Sequence, residues 1–340
     1  MNTKKLTDPV KIFWAQIAAT LRALISGPPA EDPNAPVGQT PAPVTRKVMA
    51  VLFNPVVPSE AGRKLSQVMG WNNPDDLLLG HIADLKEASH GYANYTVAER
   101  LETGAFPAKA DGFVYTADQY VQATRANAGF HQPDAVDYQR LLSEFHVLDK
   151  VRSGAIDEVW LFAFPYAGFY ESIMGGPGAF FCNAPPLGGT AAAGRRFVIM
   201  GYNYGRGAGE MLESVGHRAE FSLARVFRSA QGAANLWERF TRYDKTHPGQ
   251  AELGTVHYAP NSQTDYDWGN KTKAKSRAPL WLNFPKLEGE PTLVDAAEWG
   301  GGEIRAHHLW WLGHMPHITG SAGDIAYNWW KYIVDPQTVR

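Results

Sequence analysis

Arg196-Phe-Val-Ile-Met-Gly-Tyr-Asn-Tyr-Gly-Arg-Gly-Ala-Gly-Glu210-Met-Leu-Glu-Ser-Val-Gly-His-Arg-Ala-Glu220 decides the fold. An apolar run of strand length ends at Asn203, a glycine-rich turn follows, and a helical pattern opens with Met211, Leu212, Val215 and Ala219 on one side. A buried strand feeding a helix through a tight turn is half of a βαβ unit. At about 100° per residue, Glu210, Glu213, His217 and Glu220 fall within roughly 80° on the opposite face. Carboxylates and an imidazole on one stripe are what a solvated helix face carries. They become a site only if another part of the chain covers them.

The same alternation recurs upstream. Lys47–Asn54 and Asp157–Phe164 read as buried strands, and Gly91–Ala98 alternates like a third. Helical spacing is predicted around Leu77–Ala88, over Thr116–Ala126 and over Ala135–Val151, with another helix near Arg305–Gly313. The fold class is therefore α/β, a mainly parallel sheet with flanking helices, joined to an aromatic, loop-rich C-terminal layer. That layer holds eight of the eleven tryptophans, from Trp237 to Trp330, and its tryptophan content argues against disorder. Rigid aromatic walls of this kind suit stacking on flat ligand faces, and they equally suit the core of a loop-rich segment.

Three regions are expected. Residues 1–26 carry Val10, Trp14, Ile17, Leu21 and Leu24 at heptad-like spacing, an amphipathic helix too short and too polar to span a bilayer. Residues 10–25 suit attachment to a membrane surface, self-association, docking or export. Residues 27–45 form a proline-rich linker, and residues 46–335 a single α/β domain. A formal charge of -2 without long runs of one sign disfavours nucleic acid as a partner. A lone cysteine, Cys182, rules out an internal disulfide. The compartment stays undetermined, with a lean toward the outside of the cytoplasm.

In an open parallel sheet, ligands bind beyond the carboxyl ends of the strands. That rule nominates Tyr166 and Glu171 after one strand, and Asn203 and Arg206 after another. The segment from Gly254 to Asn270 is the densest polar stretch, with His257, Asn261, Asp265, Asp267 and Trp268. It reads as a substrate-lining loop or a self-bonded turn system. Two carboxylates flanking a bond can cleave it by acid/base catalysis, so the leading expectation is a hydrolase of an extracellular glycan or glycan-containing polymer. Glu171, with Glu213 or Glu220, would be its acid and base, and His217 would orient or charge one of them. The other eight residues would line the pocket of a polymeric or small-molecule substrate.

A second expectation is a zinc-dependent peptidase or amidase. No local zinc motif is present, and a metal would have to be assembled across segments, for example from His217 and Glu220 with His308 and His314 of the histidine-rich tail. No cofactor is required by the first reading, and zinc is the only one the second admits. The third expectation is a non-catalytic surface or assembly protein using the N-terminal helix.

Overall fold

The computed structural model describes residues 38–340; the expected N-terminal helix and residues 27–37 of the linker lie outside the described residues. Five strands form the central sheet: β1 (Val44–Phe53), β2 (Ala93–Thr103), β3 (Glu158–Ala163), β4 (Ser172–Gly175) and β5 (Phe197–Asn203). Their order is β2-β1-β3-β5-β4. The first four of that row are parallel, and only β4 runs antiparallel, against β5. The reason is visible in burial: Val48 to Phe53 of β1 and all six residues of β3 are buried, as strands covered on both faces must be. Strand β2, at the edge, alternates between buried or half-buried and exposed positions along most of its length.

The α/β class expected from the sequence is thus the one observed. Strand β1 starts at Val44, two residues inside the expected linker. At the other end the chain stays packed beyond 335, where Arg196 Nη1 donates to the carbonyls of Pro336 and Val339. Strand β4, four residues long, carried no sequence signal. The helix expected over Ala135–Val151 is two shorter ones, Tyr138–Glu144 and Val147–Arg152, broken where His146 takes a left-handed φ of 51°.

Among the described residues, four helices have ten residues or more: α1 (Pro74–Ala88), α2 (Ala117–Ala126), α3 (Ala208–Val226) and α4 (Ile304–Gly313). Among the described residues none is long and apolar enough to cross a membrane. Helices α1, α3 and α4 pack against one another. Close approach of α3 and α4 depends on Gly209, where a Cβ would lie 2.4 Å from Ile304 Cγ2.

Helix α3 is also clamped to the sheet from below. Arg218 makes a bidentate pair with Glu158 of β3 at 2.7 and 2.8 Å, and both side chains are buried. The same carboxylate accepts from Tyr95 Oη and Trp160 Nε1, so its lone pairs are filled. Breaking such a pair on one side leaves a bare buried charge, at a cost of about 3–5 kcal/mol. Glu158, at the start of β3 and away from the carboxyl ends of the strands, therefore serves structure.

The tryptophans of the C-terminal layer are core. Phe240 contacts Trp281, Trp311 and Trp329 at ring-centroid distances of 4.9, 5.7 and 5.4 Å, mostly edge to face. Two of the indole N–H groups find partners inside the layer, Trp311 on the Gly254 carbonyl and Trp281 on Glu252. This layer carries the 254–270 loop onto the outer face of α3.

Candidate metal centre

Contact between that loop and α3 is made at Gly216. A Cβ there would meet Val256 Cγ2 at 2.5 Å, so the helix presents bare backbone where the loop crosses it. Glu220 Oε1 then accepts the Val256 N–H at 3.1 Å, which fixes the next residue, His257, over the helix. Gly254, with φ of +81° and the Tyr258 carbonyl 1.9 Å from a would-be Cβ, allows the loop to close so tightly.

The result is a compact cluster. Glu213 Oε1 lies 3.0 Å from His257 Nε2 and 4.0 Å from His217 Nε2. One donor atom from each of the three residues lies within 4.8 Å of the others. Glu213 and His217 share a face because they are four residues apart on one helix, and His257 arrives from the loop. Donors around a tetrahedral zinc ion at 2.0–2.1 Å stand about 3.3 Å apart, a spacing that the 3.0 Å and 4.0 Å separations from Glu213 Oε1 bracket.

Each imidazole is backed by a second carboxylate. His217 Nδ1–H donates to Glu220 Oε2 at 3.1 Å, and His257 Nδ1 faces Asp265 Oδ1 at 3.1 Å. Both Nε2 atoms are thereby turned toward Glu213. This is the arrangement in which outer carboxylates orient metal-bound histidines and raise their basicity.

Glu171 completes the ring from the sheet side, with Oε2 3.9 Å from His217 Nε2. It stands just before β4, where its carbonyl accepts the Gly201 N–H, and Asn183 Nδ2 donates to its carboxylate at 2.6 Å. Its side chain keeps 38% exposure, against 8% for Glu213. Tyr266 caps the cluster from solvent, its hydroxyl 3.2 Å from both Glu213 Oε1 and His257 Nε2. That tyrosine holds a left-handed φ of 58°, a conformation non-glycine residues adopt at a cost and which concentrates at functional sites.

Charge in the cluster is lopsided. Among the described residues, every ion pair made by Glu171, Glu213, Glu220 and Asp265 runs to a histidine, never to lysine or arginine. The hydrogen bond to Glu213 chiefly raises the His257 pKa above its usual value. Burial works against charge on His217, but the Glu220 bond and the Glu220 and Glu171 charges outweigh it and that pKa also rises. Burial likewise works to raise the Glu213 carboxyl; the His257 bond and the neighbouring imidazoles prevail and hold it below the ordinary range. Burial, followed by the Glu213 charge, pushes the Tyr266 phenol up to about 12. Four carboxylates and two imidazoles gathered in one cluster could hold a divalent cation.

Several residues expected at the site have other partners. Asn203 Oδ1 accepts the Gly205 N–H, and Arg206 is bonded through its backbone to Asn203 and to Asn72. Tyr166 stacks on Phe130 at 3.7 Å. Asn261 is buried and ties Asn270 to Thr272, while Asp267 accepts from Gln263 N and Asn270 Nδ2. These belong to the self-bonded turn system. Trp268 is buried and stacks on His307, below Tyr266. His308 and His314 donate Nδ1–H groups to the carbonyls of Ile304 and Trp310, one turn back on α4 and its C-cap. Of the metal set named from the sequence, His217 lies in the cluster with Glu213 and His257, Glu220 backs His217, and His308 and His314 bond to backbone carbonyls. Tyr266 and Asn183 were not singled out. Tyr266 lies inside the flagged loop, whereas nothing in the sequence around Asn183 marks it.

Compared with known proteins, the chain matches no family model, no curated protein and no solved structure.

Proposed function

We propose that this chain is a zinc-dependent hydrolase of peptide or amide bonds, with Glu213, His217 and His257 as ligands and Glu171 as general base. The observation that carries the proposal is the pair of imidazoles, each with Nδ1 held by a carboxylate and Nε2 turned to Glu213. Two histidines and one glutamate would hold a zinc ion through three protein ligands, the number of a catalytic rather than a structural site. Zinc supplies a bound water of lowered pKa and a Lewis acid for a carbonyl oxygen. Glu171, more exposed than the ligands and oriented by Asn183, would serve as the base that takes a proton from the attacking water and returns it to the leaving nitrogen. Tyr266 keeps its proton at neutral pH and can donate it to the oxygen that gains negative charge.

Glycosidic cleavage by two carboxylates fits less well. It needs one carboxyl raised in pKa to act as acid, and the inner carboxylate, Glu213, is held low against burial by the His257 hydrogen bond and the neighbouring imidazoles.

Zinc content and peptidase activity of the full-length chain test the proposal together. Glu171→Gln is expected to keep stoichiometric zinc while hydrolysis of a mixed peptide library falls by about 10²–10⁴-fold. Chelation should abolish the activity and added zinc restore it. Activity unaffected by chelation, or a chain that retains no zinc, contradicts the proposal.

A further inference from the structure

A second cluster of charged side chains, sharing no residue with the metal cluster, lies in the C-terminal layer. A cleft of about 480 Å³ is lined by Arg239, Arg242, Arg277 and Glu252, with Gly232 and Ala233 at its edge. Three guanidinium groups are answered there by one buried carboxylate. That carboxylate is already committed, because Glu252 Oε1 accepts from Arg239 Nε at 2.8 Å and Oε2 from Trp281 Nε1 at 2.9 Å. Arg242 is left with the exposed Glu238, 3.7 Å away, and its Nε is buried without a hydrogen-bond partner. Arg277 makes no side-chain hydrogen bond or ion pair among the described residues, although it is half-buried.

A buried guanidinium N–H without an acceptor is costly, and two under-neutralised arginines held beside a third repel one another. An anion with several oxygens removes both penalties at once. Guanidinium forks match the oxygens of a phosphate bidentately, which a single carboxylate cannot offer to two arginines as well. We infer that this cleft binds the phosphate group of a small molecule, with Arg242 and Arg277 as the principal donors and Arg239 held in place by Glu252.

Calorimetric titration of the full-length chain with inorganic phosphate, at fixed ionic strength in chloride buffer, tests this, with acetate as the carboxylate control. Phosphate is expected to bind saturably at one equivalent, and acetate at least about tenfold more weakly. Arg277→Met should weaken phosphate at least about tenfold, with an unchanged melting temperature because it breaks no internal pair. Phosphate binding should survive His257→Ala, which separates this cleft from any anion held at the proposed zinc ion. No saturable phosphate binding, equal binding of acetate, or affinity indifferent to both Arg277→Met and Arg242→Met would overturn the inference.

Discussion

Glu220 and Asp265 touch the proposed metal only through the histidines they orient, and that sets how strongly each is expected to matter. Removing a ligand deletes a bond, whereas Glu220→Gln or Asp265→Asn leaves the imidazole free to turn and lowers its basicity. Zinc affinity should drop by about 10–100-fold for each of these two changes, as measured by competition with a chromogenic chelator. Glu220→Gln carries the larger structural risk, since Oε1 also holds the Val256 N–H. Asp265 is half exposed and has no such second task, so its variant isolates the orienting effect. Unchanged affinity in Asp265→Asn would mean that the outer carboxylates are ordinary surface partners. At this scale the sequence was partly readable. The four-residue spacing of Glu213 and His217 placed them on one helix face, but the identity of the third ligand depended on which loop crosses that face. Neither helical period nor strand period reports such a crossing.

Helix α3 meets two opposed demands at Gly216. Glycine in a helix interior costs about 1 kcal/mol relative to alanine, so propensity alone favours Gly216→Ala. Packing opposes it, because the added Cβ would stand 2.5 Å from Val256 Cγ2 and 3.2 Å from Val256 Cβ. Overpacking of this kind costs about 1–3 kcal/mol and would push the loop outward, taking His257 with it. The variant is expected to melt at lower temperature and to bind zinc more weakly; a stabilised variant with intact zinc binding would show that the loop is free to yield. Strands β1, β3 and β5 were legible as continuous apolar runs because parallel strands are buried on both faces. Strand β4 was not, since four residues at an antiparallel edge are too few to show a period.

Across the molecule, two environments shift histidine in opposite directions. His217 and His257 face carboxylates and are raised, while His81 and His314 are buried with neutral partners and burial lowers them to about 3 and about 4. For these two the unfolded chain, with pKa near 6.5, takes up protons that the folded chain refuses. Their contribution is therefore complete above about pH 6.5 and is lost as pH falls toward 4, by about 1.4 kcal/mol per pH unit for each group. Melting temperature should decline from pH 7 to pH 5, and His81→Phe should flatten the decline; a flat profile in the wild-type chain would contradict this assignment. The wholesale packing of the tryptophan-rich layer onto α3 is what converts an amphipathic face into a cluster, and composition announced the layer without announcing its docking surface. X-ray absorption at the zinc edge, on the zinc-loaded full-length chain, tests the resulting centre most directly. The account predicts four light-atom ligands at about 2.0–2.1 Å with the multiple-scattering signature of two imidazoles. A shell of oxygens without imidazole, or no bound zinc, would contradict it.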